Sequence, residues 1–190
     1  MYQKYQTEAL VLKATESGEA DKVFALYTHD FGLVRARASA VRSERSKMRY
    51  ALQQYSHASV SLVRGKRGWR IAGAAALRPA PGQLEALTAF ARIASLVLRL
   101  VHGEESNAYL FGALAEAHEA LAPKPCDAWP TIEIVCVARV LFGLGYLSKE
   151  AVSAAIFTNT TYALPHLAEV VAEREKLLAT INRALSETQL

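Results

Sequence analysis

The sequence predicts an α+β protein with β first, a small five-stranded barrel over residues 1–80 and an α-helical bundle over residues 81–190. Three observations predict it. Short apolar runs rich in Val, Leu and aromatics fill the first 80 residues, the hydrophobic period then turns helical, and Pro79-Ala80-Pro81-Gly82 marks the change. Hydrophobic residues make up 52% of the 190 and charged residues 21%, enough apolar material for a packed core and too much for a disordered chain.

The first strand is expected over 8–14 (EALVLKA) and the second over 22–28 (KVFALYT), ended by the turn signal His29-Asp30-Phe31-Gly32. A third run, 33–41, alternates. Val34, Ala36, Ala38 and Ala40 share one face and Arg35, Arg37 and Ser39 the other, as a period of two requires. Residues 56–64 and 69–77 make a last hairpin around Gly65-Lys66-Arg67-Gly68. Five strands with no long helix between them suggest a closed barrel.

Neither Pro79 nor Pro81 can continue a strand ladder. Beyond them Leu84, Leu87, Phe90, Ala91, Ala94, Leu98 and Val101 recur at helical spacing. A second helix is expected from about 106 to 122, ended by Pro123 and Pro125. A third, 131–146, is apolar on nearly all sides and is expected at the centre of the bundle. The last starts near Pro165 and carries Leu167, Val170, Val171, Leu177, Leu178, Ile181 and Leu185.

Several chemistries lack their residues. There is no G-x-x-x-x-G-K-[ST] and no G-x-G-x-x-G, so no nucleotide cradle is expected. Asp30-Phe31-Gly32 spells a kinase tripeptide without the other kinase motifs, and a hairpin turn explains it better. His29, His57, His102, His118 and His166 are scattered, and Cys126 and Cys136 make neither a disulfide scaffold nor a metal set. No nucleophile stands with a base. We expect no catalytic residue, no metal and no cofactor. No run reaches the ~20 apolar residues of a membrane helix, and no apolar signal segment opens the chain, so a soluble cytoplasmic protein is expected.

Charge is the informative feature. Residues 1–80 hold 14 Lys and Arg against 6 Asp and Glu, and residues 81–190 hold 8 against 12. Arg35, Arg37, Arg42, Arg45, Lys47, Arg49, Arg64, Lys66, Arg67 and Arg70 fall within 36 residues that contain a single acid, Glu44. Such clustering points to a polyanion. Nucleic-acid backbones are neutralised by Lys and Arg, and unpaired bases stack on aromatic rings. The ten cations are therefore the candidate backbone contacts, with Tyr55 and Trp69 as candidate stacking rings, and the hydrophilic stretch 42–49 is expected as a loop able to wrap a backbone. A barrel-rim plug is the structural alternative for Trp69, and core packing for Tyr55. On these features alone, a general single-stranded nucleic-acid binder and an adaptor for an acidic protein both stay open.

The residues also carry a family likeness. Gln6-Thr7-Glu8-Ala9-Leu10-Val11-Leu12 followed by Gly18-Glu19-Ala20-Asp21-Lys22 resembles the opening of bacterial RecO, a recombination mediator of DNA repair. Ser46-Lys47-Met48-Arg49-Tyr50-Ala51-Leu52-Gln53-Gln54-Tyr55 resembles that family's basic R-x-A-L-Q-P-F segment, with Gln54 in place of its proline. Arg64-Gly65 and the stretch 141–147 (LFGLGYL) also fit. The resemblance implies an N-terminal OB-fold and a helical C-terminal domain for protein interaction. It implies binding of single- and double-stranded DNA, strand annealing, a nucleoid-associated cytoplasmic place, and two protein partners: RecR and the acidic C-terminal tail of the single-stranded-DNA-binding protein. Arg92, Arg99 and Arg139 are the cations available to meet that tail. The stretch after Tyr146 is shorter than usual for the family, and the four-cysteine zinc site of some members has no counterpart in Cys126 and Cys136.

Overall fold

The structure, a computed structural model, describes residues 3–122, 126–148, 155–158 and 161–187. It divides into two compact units, Met1–Gly82 with His102–Phe111, and Gln83–Val101 with Gly112–Leu190.

The first unit is a closed barrel of five strands: β1 (Lys4–Ser17), β2 (Asp21–Thr28), β3 (Gly32–Ala38), β4 (His57–Gly65) and β5 (Gly68–Arg78). Their order around the barrel is β1-β2-β3-β5-β4, that of an OB-fold. β1 is long because it serves two partners. Lys4–Leu10 pair with β4 and Ala9–Ser17 with β2, with a register shift between Val11 and Lys13 that bends the strand from one neighbour to the other. β3 and β5 close the barrel in parallel over Ala36↔Trp69 and Arg37↔Arg70.

Alternation fills the interior. Val11, Phe24, Leu26, Val34, Ala36, Val60, Leu62 and Ile71 belong to one buried cluster. Truncating a fully buried member, such as Leu62→Ala, should cost about 2–5 kcal/mol. In β3, Val34, Ala36 and Ala38 point in while Arg35 and Arg37 point out, as the period of two requires. Ala40 departs from it. The strand ends at Ala38, and Ala40 is exposed with φ +53, its amide held by the Asp21 carboxylate at 2.7 Å. The stretch 42–49, expected as a loop, is one as far as Lys47, with the Arg42 amide bonded across to the Ala20 carbonyl and the Ser46 amide closing a turn onto the Ser43 carbonyl; one helical turn, α1 (Met48–Ala51), then begins within it. The buried Ser56 hydroxyl donates to the carbonyls of Ala51 and Gln53, fixing the exit of α1.

Residues His102–Phe111 belong with the barrel, a placement the sequence did not signal. The Phe111 ring meets the rings of Tyr27, His29 and His57, and the Glu105 backbone lies against Gly32.

The second unit is helical: α2 (Leu84–Leu100), most of α3 (Ala108–Leu121), α4 (Trp129–Gly143) after a 3-10 turn at Cys126–Ala128, α5 (Ala155–Thr158), α6 (Leu164–Ala172) and α7 (Arg174–Glu187). α4 packs against α2, α5, α6 and α7, the central position its apolar surface demands. The buried stripe of α2 is Ala86, Ala89, Phe90, Ile93, Ala94, Leu96, Val97 and Leu100, whereas Leu84 is 73% exposed. Small alanines face the core there, so the leucine spacing alone placed the stripe off its true line. The single last helix expected from Pro165 is two helices. At Glu173 (φ −106, ψ 13) the amide bonds three residues back to Val170, which tightens α6 to a stop before α7 begins. Pro123 and Pro125, expected to end α3, lie outside the described residues.

Candidate nucleic-acid interface

In the first unit the cations gather because strand alternation points them outward. Trp69 sits opposite Ala36 inside the barrel, so the next residues, Arg37 and Arg70, face out side by side. The β4–β5 turn, with Gly68 at φ +99, adds Lys66 and Arg67 at its exposed tip. These four cations, with Asp21, Ser39, Val63, Gly65, Gly68 and an edge of the buried Trp69, line a cleft of about 440 Å³. Asp21 is paired: one oxygen accepts the Arg37 Nε–H at 2.9 Å and the other the Ala40 amide at 2.7 Å. The Ala40 amide, then Arg37, hold its carboxyl below the ordinary value. The remaining excess of positive charge around one concavity raises the local concentration of anions.

A second cleft, of about 370 Å³, lies where α1 meets the starts and ends of β2 and β3. Lys22, Arg42 and Arg49 supply its cations, and Phe24, Val41 and Leu52 its apolar floor; Tyr50 and Gln53 complete it. Arg42 approaches Glu16 at 3.3 Å. The Arg49 guanidinium lies 4.9 Å from the Tyr50 ring centroid and donates to its hydroxyl at 3.0 Å.

The other candidates are dispersed. Arg35 is exposed on β3, and Arg45 and Lys47 are exposed between β3 and α1. Arg64 is exposed, 5.2 Å from the Trp69 ring and 3.4 Å from the Glu104 carboxylate. Trp69 does not offer a free face. It is 6% exposed, and Tyr5, Phe31 and Arg64 surround its ring at the end of the barrel. Tyr55 is half-buried with φ +67, its amide bonded to the Val11 carbonyl at 2.7 Å. Among the described residues of this unit the exposed ring is Tyr50, at 62%. Sequence reasoning passed over Lys22, Tyr50 and Gln53 as site residues. The available signal was parity: Lys22 alternates with Phe24 and Leu26, which puts it at the barrel mouth, and Trp69 alternates with Ile71, which puts it inside.

In the helical unit, Arg92 and Arg99 are exposed on α2 and line a groove of about 450 Å³ with Thr88, Ala91, Ser95 and Leu96. Arg92 is already engaged, donating to both Glu133 oxygens at 2.6 Å. Arg139 is not available to a partner. It is 3% exposed, donates to the Ile156 and Thr161 carbonyls and lies 4.4 Å from the Tyr162 ring centroid, which makes it an internal brace. Burial pushes the neighbouring Cys136 thiol up to about 12, so it stays protonated and unreactive at neutral pH. Among the described residues no three His, Cys, Asp or Glu side chains group as a metal site, and no helix is long and apolar enough to cross a membrane.

Comparison with known proteins turns on the barrel. The model of the family described as Recombination protein O N terminal matches residues 1–76. Over its barrel, the chain is similar to the N-terminal part of the RecO family. Relatives from three strains of Dehalococcoides mccartyi, each named DNA repair protein RecO, are 39% identical over 62 residues. That match covers 33% of this chain and 24% of each relative, so the likeness spans about a quarter of the curated proteins' length. The matched family residues include β3 with Arg35 and Arg37 and both clefts of the barrel.

Proposed function

We propose that this chain is a DNA-binding recombination mediator and strand-annealing protein of recombinational repair, acting on single-stranded DNA coated by its binding protein. One observation carries the reading: Arg37, Lys66, Arg67 and Arg70 converge on a single cleft of a barrel that matches the RecO N-terminal family model. The mechanism needs no covalent step and no cofactor. Cations of the barrel screen two phosphate backbones at once, which lets complementary strands approach against less mutual repulsion. Single- and double-stranded DNA are both ligands in this reading. RecR and the coating protein's acidic tail are the protein partners, and the α2 groove with Arg99 at its lip is the place proposed for that tail. In this reading the protein acts on chromosomal DNA, in the cytoplasm at the nucleoid.

The test is annealing of complementary oligonucleotides, bare and coated, by the wild type and by Lys66→Ala/Arg67→Ala/Arg70→Ala. The wild type should anneal both substrates. The triple variant should lose most annealing, and its log affinity for single strands should depend less steeply on log salt, by about two units at ~0.7 per lost phosphate contact. Annealing of bare strands alone would support a general single-stranded nucleic-acid binder instead.

A further inference from the structure

We infer that the barrel-mouth cleft beside α1 is a subsite for one unpaired nucleotide, its base against Tyr50 and its phosphate on Arg42, Arg49 and Lys22. The inference rests on the DNA-binding reading above and goes further, because the 440 Å³ cleft offers cations for a backbone while the ring that lines it, Trp69, is 6% exposed and packed against Tyr5 and Phe31.

The barrel-mouth cleft has the parts a nucleotide needs. Its ~370 Å³ falls in the range of small-molecule sites, about 300–1,000 Å³. Its floor is apolar and closed: Phe24, Val41 and Leu52 are at most 4% exposed. Tyr50 also lines the cleft, with 62% of its surface in solvent, so its ring is open to a base. Arg49 lies 4.9 Å from the ring centroid and bonds the hydroxyl, so ring and cation are held together before any ligand arrives. Gln53 supplies an amide that can both donate to and accept from a base edge. A phosphate needs cations alone; a ring, an amide and an apolar floor in addition match a base. The two clefts are adjacent on the chain. Asp21 lines the first and Lys22 the second, and Asp21 also anchors the Ala40 amide at the exit of β3 toward Val41 and Arg42. A strand whose backbone lies along Arg37 and Arg70 can therefore turn one nucleotide into the mouth.

The experiment compares binding of the full chain to oligo(dT) and to a sugar-phosphate chain of equal length whose residues are abasic. The wild type should prefer oligo(dT) by about tenfold, in line with what one stacked base contributes. Tyr50→Ala should remove most of that preference while leaving the salt slope unchanged, and Tyr50→Phe should keep it. Lys66→Ala/Arg67→Ala/Arg70→Ala should do the reverse, flattening the slope with the preference intact. Should Tyr50→Ala not match the wild type by circular dichroism, Tyr50→Leu replaces it, keeping apolar bulk without the ring. A folded variant that retains the full preference, or a wild type that binds both chains equally, overturns the subsite. A wild type that binds neither chain instead overturns the DNA-binding reading itself.

Discussion

Asp21 and Arg37 meet diagonally across the β2–β3 ladder, carboxylate to guanidinium at 2.7 Å, at the cleft they share with Lys66, Arg67 and Arg70. The same carboxylate holds the Ala40 amide, so one acid both tempers a proposed phosphate contact and shapes the exit of β3.

That double role has a pH consequence. The Ala40 amide first, then Arg37, lower the Asp21 carboxyl below its ordinary 3.8 in the folded chain. A depressed value contributes stability above the unfolded carboxylate range and loses it as pH falls through the folded value. Asp21→Asn should lower the melting temperature at neutral pH and flatten its fall between about pH 4 and lower values. The variant should also bind single-stranded DNA more tightly at low salt, because Arg37 loses its competing acid. Thermal melts across acid pH and a salt titration check both, and an unchanged acid limb would contradict the role given to Asp21.

Gly32 admits no other residue. Its φ is +60, in the region that favours glycine, and a Cβ built there would overlap the Glu105 carbonyl. Gly32→Ala should cost roughly 2–4 kcal/mol, from the left-handed backbone together with the displaced neighbour. Denaturant melts measure it. A loss below about 0.5 kcal/mol, the scale of an ordinary surface change, would mean that His102–Phe111 does not hold its place against the barrel.

Arg45 and Lys47 are exposed, so removing both side chains should not disturb the fold. If they touch DNA backbone, Arg45→Ala/Lys47→Ala should flatten the single-strand salt slope by about 1.4 units, at ~0.7 per contact. An unchanged slope in the folded variant would remove this stretch from the interface.

Local pattern made the barrel legible, and long-range contacts hid the rest. Val34, Ala36 and Ala38 announced an inner face and Arg35 and Arg37 an outer one, because alternation is a property of neighbours. Ala40 fits the same alternation and breaks it, since its backbone is set by a carboxylate 19 residues earlier. The basic character of the interface was visible as composition. Which ring stands free was not: Trp69 is enclosed by Tyr5 and Phe31, which are far from it in sequence, while Tyr50 is exposed because one short helical turn lifts it out. Arg139 shows the same limit in the helices, where a cation in an apolar helix is consumed by the carbonyls of Ile156 and Thr161.

The last prediction separates the two proposed surfaces. The field of residues 1–80, with 14 cations against 6 acids, favours DNA at the barrel, whereas the helical half carries more acids than cations. An acidic tail ending in apolar residues needs a cation beside an apolar groove. On α2, Ala91 and Leu96 give the groove apolar surface, and Arg92 and Arg99 stand at its sides. Arg92 is spent on Glu133, which raises the Arg92 value through a bidentate pair and leaves Arg99 as the groove's other cation. Arg99→Glu should therefore weaken binding of an isolated acidic tail peptide at least tenfold, while single-stranded DNA affinity changes less than twofold. Arg92→Glu is expected to act differently, lowering the melting temperature as well, because it sets two carboxylates against each other across α2 and α4. The barrel variant Lys66→Ala/Arg67→Ala/Arg70→Ala should bind the peptide normally and DNA poorly. Fluorescence anisotropy on the two labelled ligands reads all four quantities. If folded Arg99→Glu and the barrel variant each lost both ligands, one shared surface would replace the two.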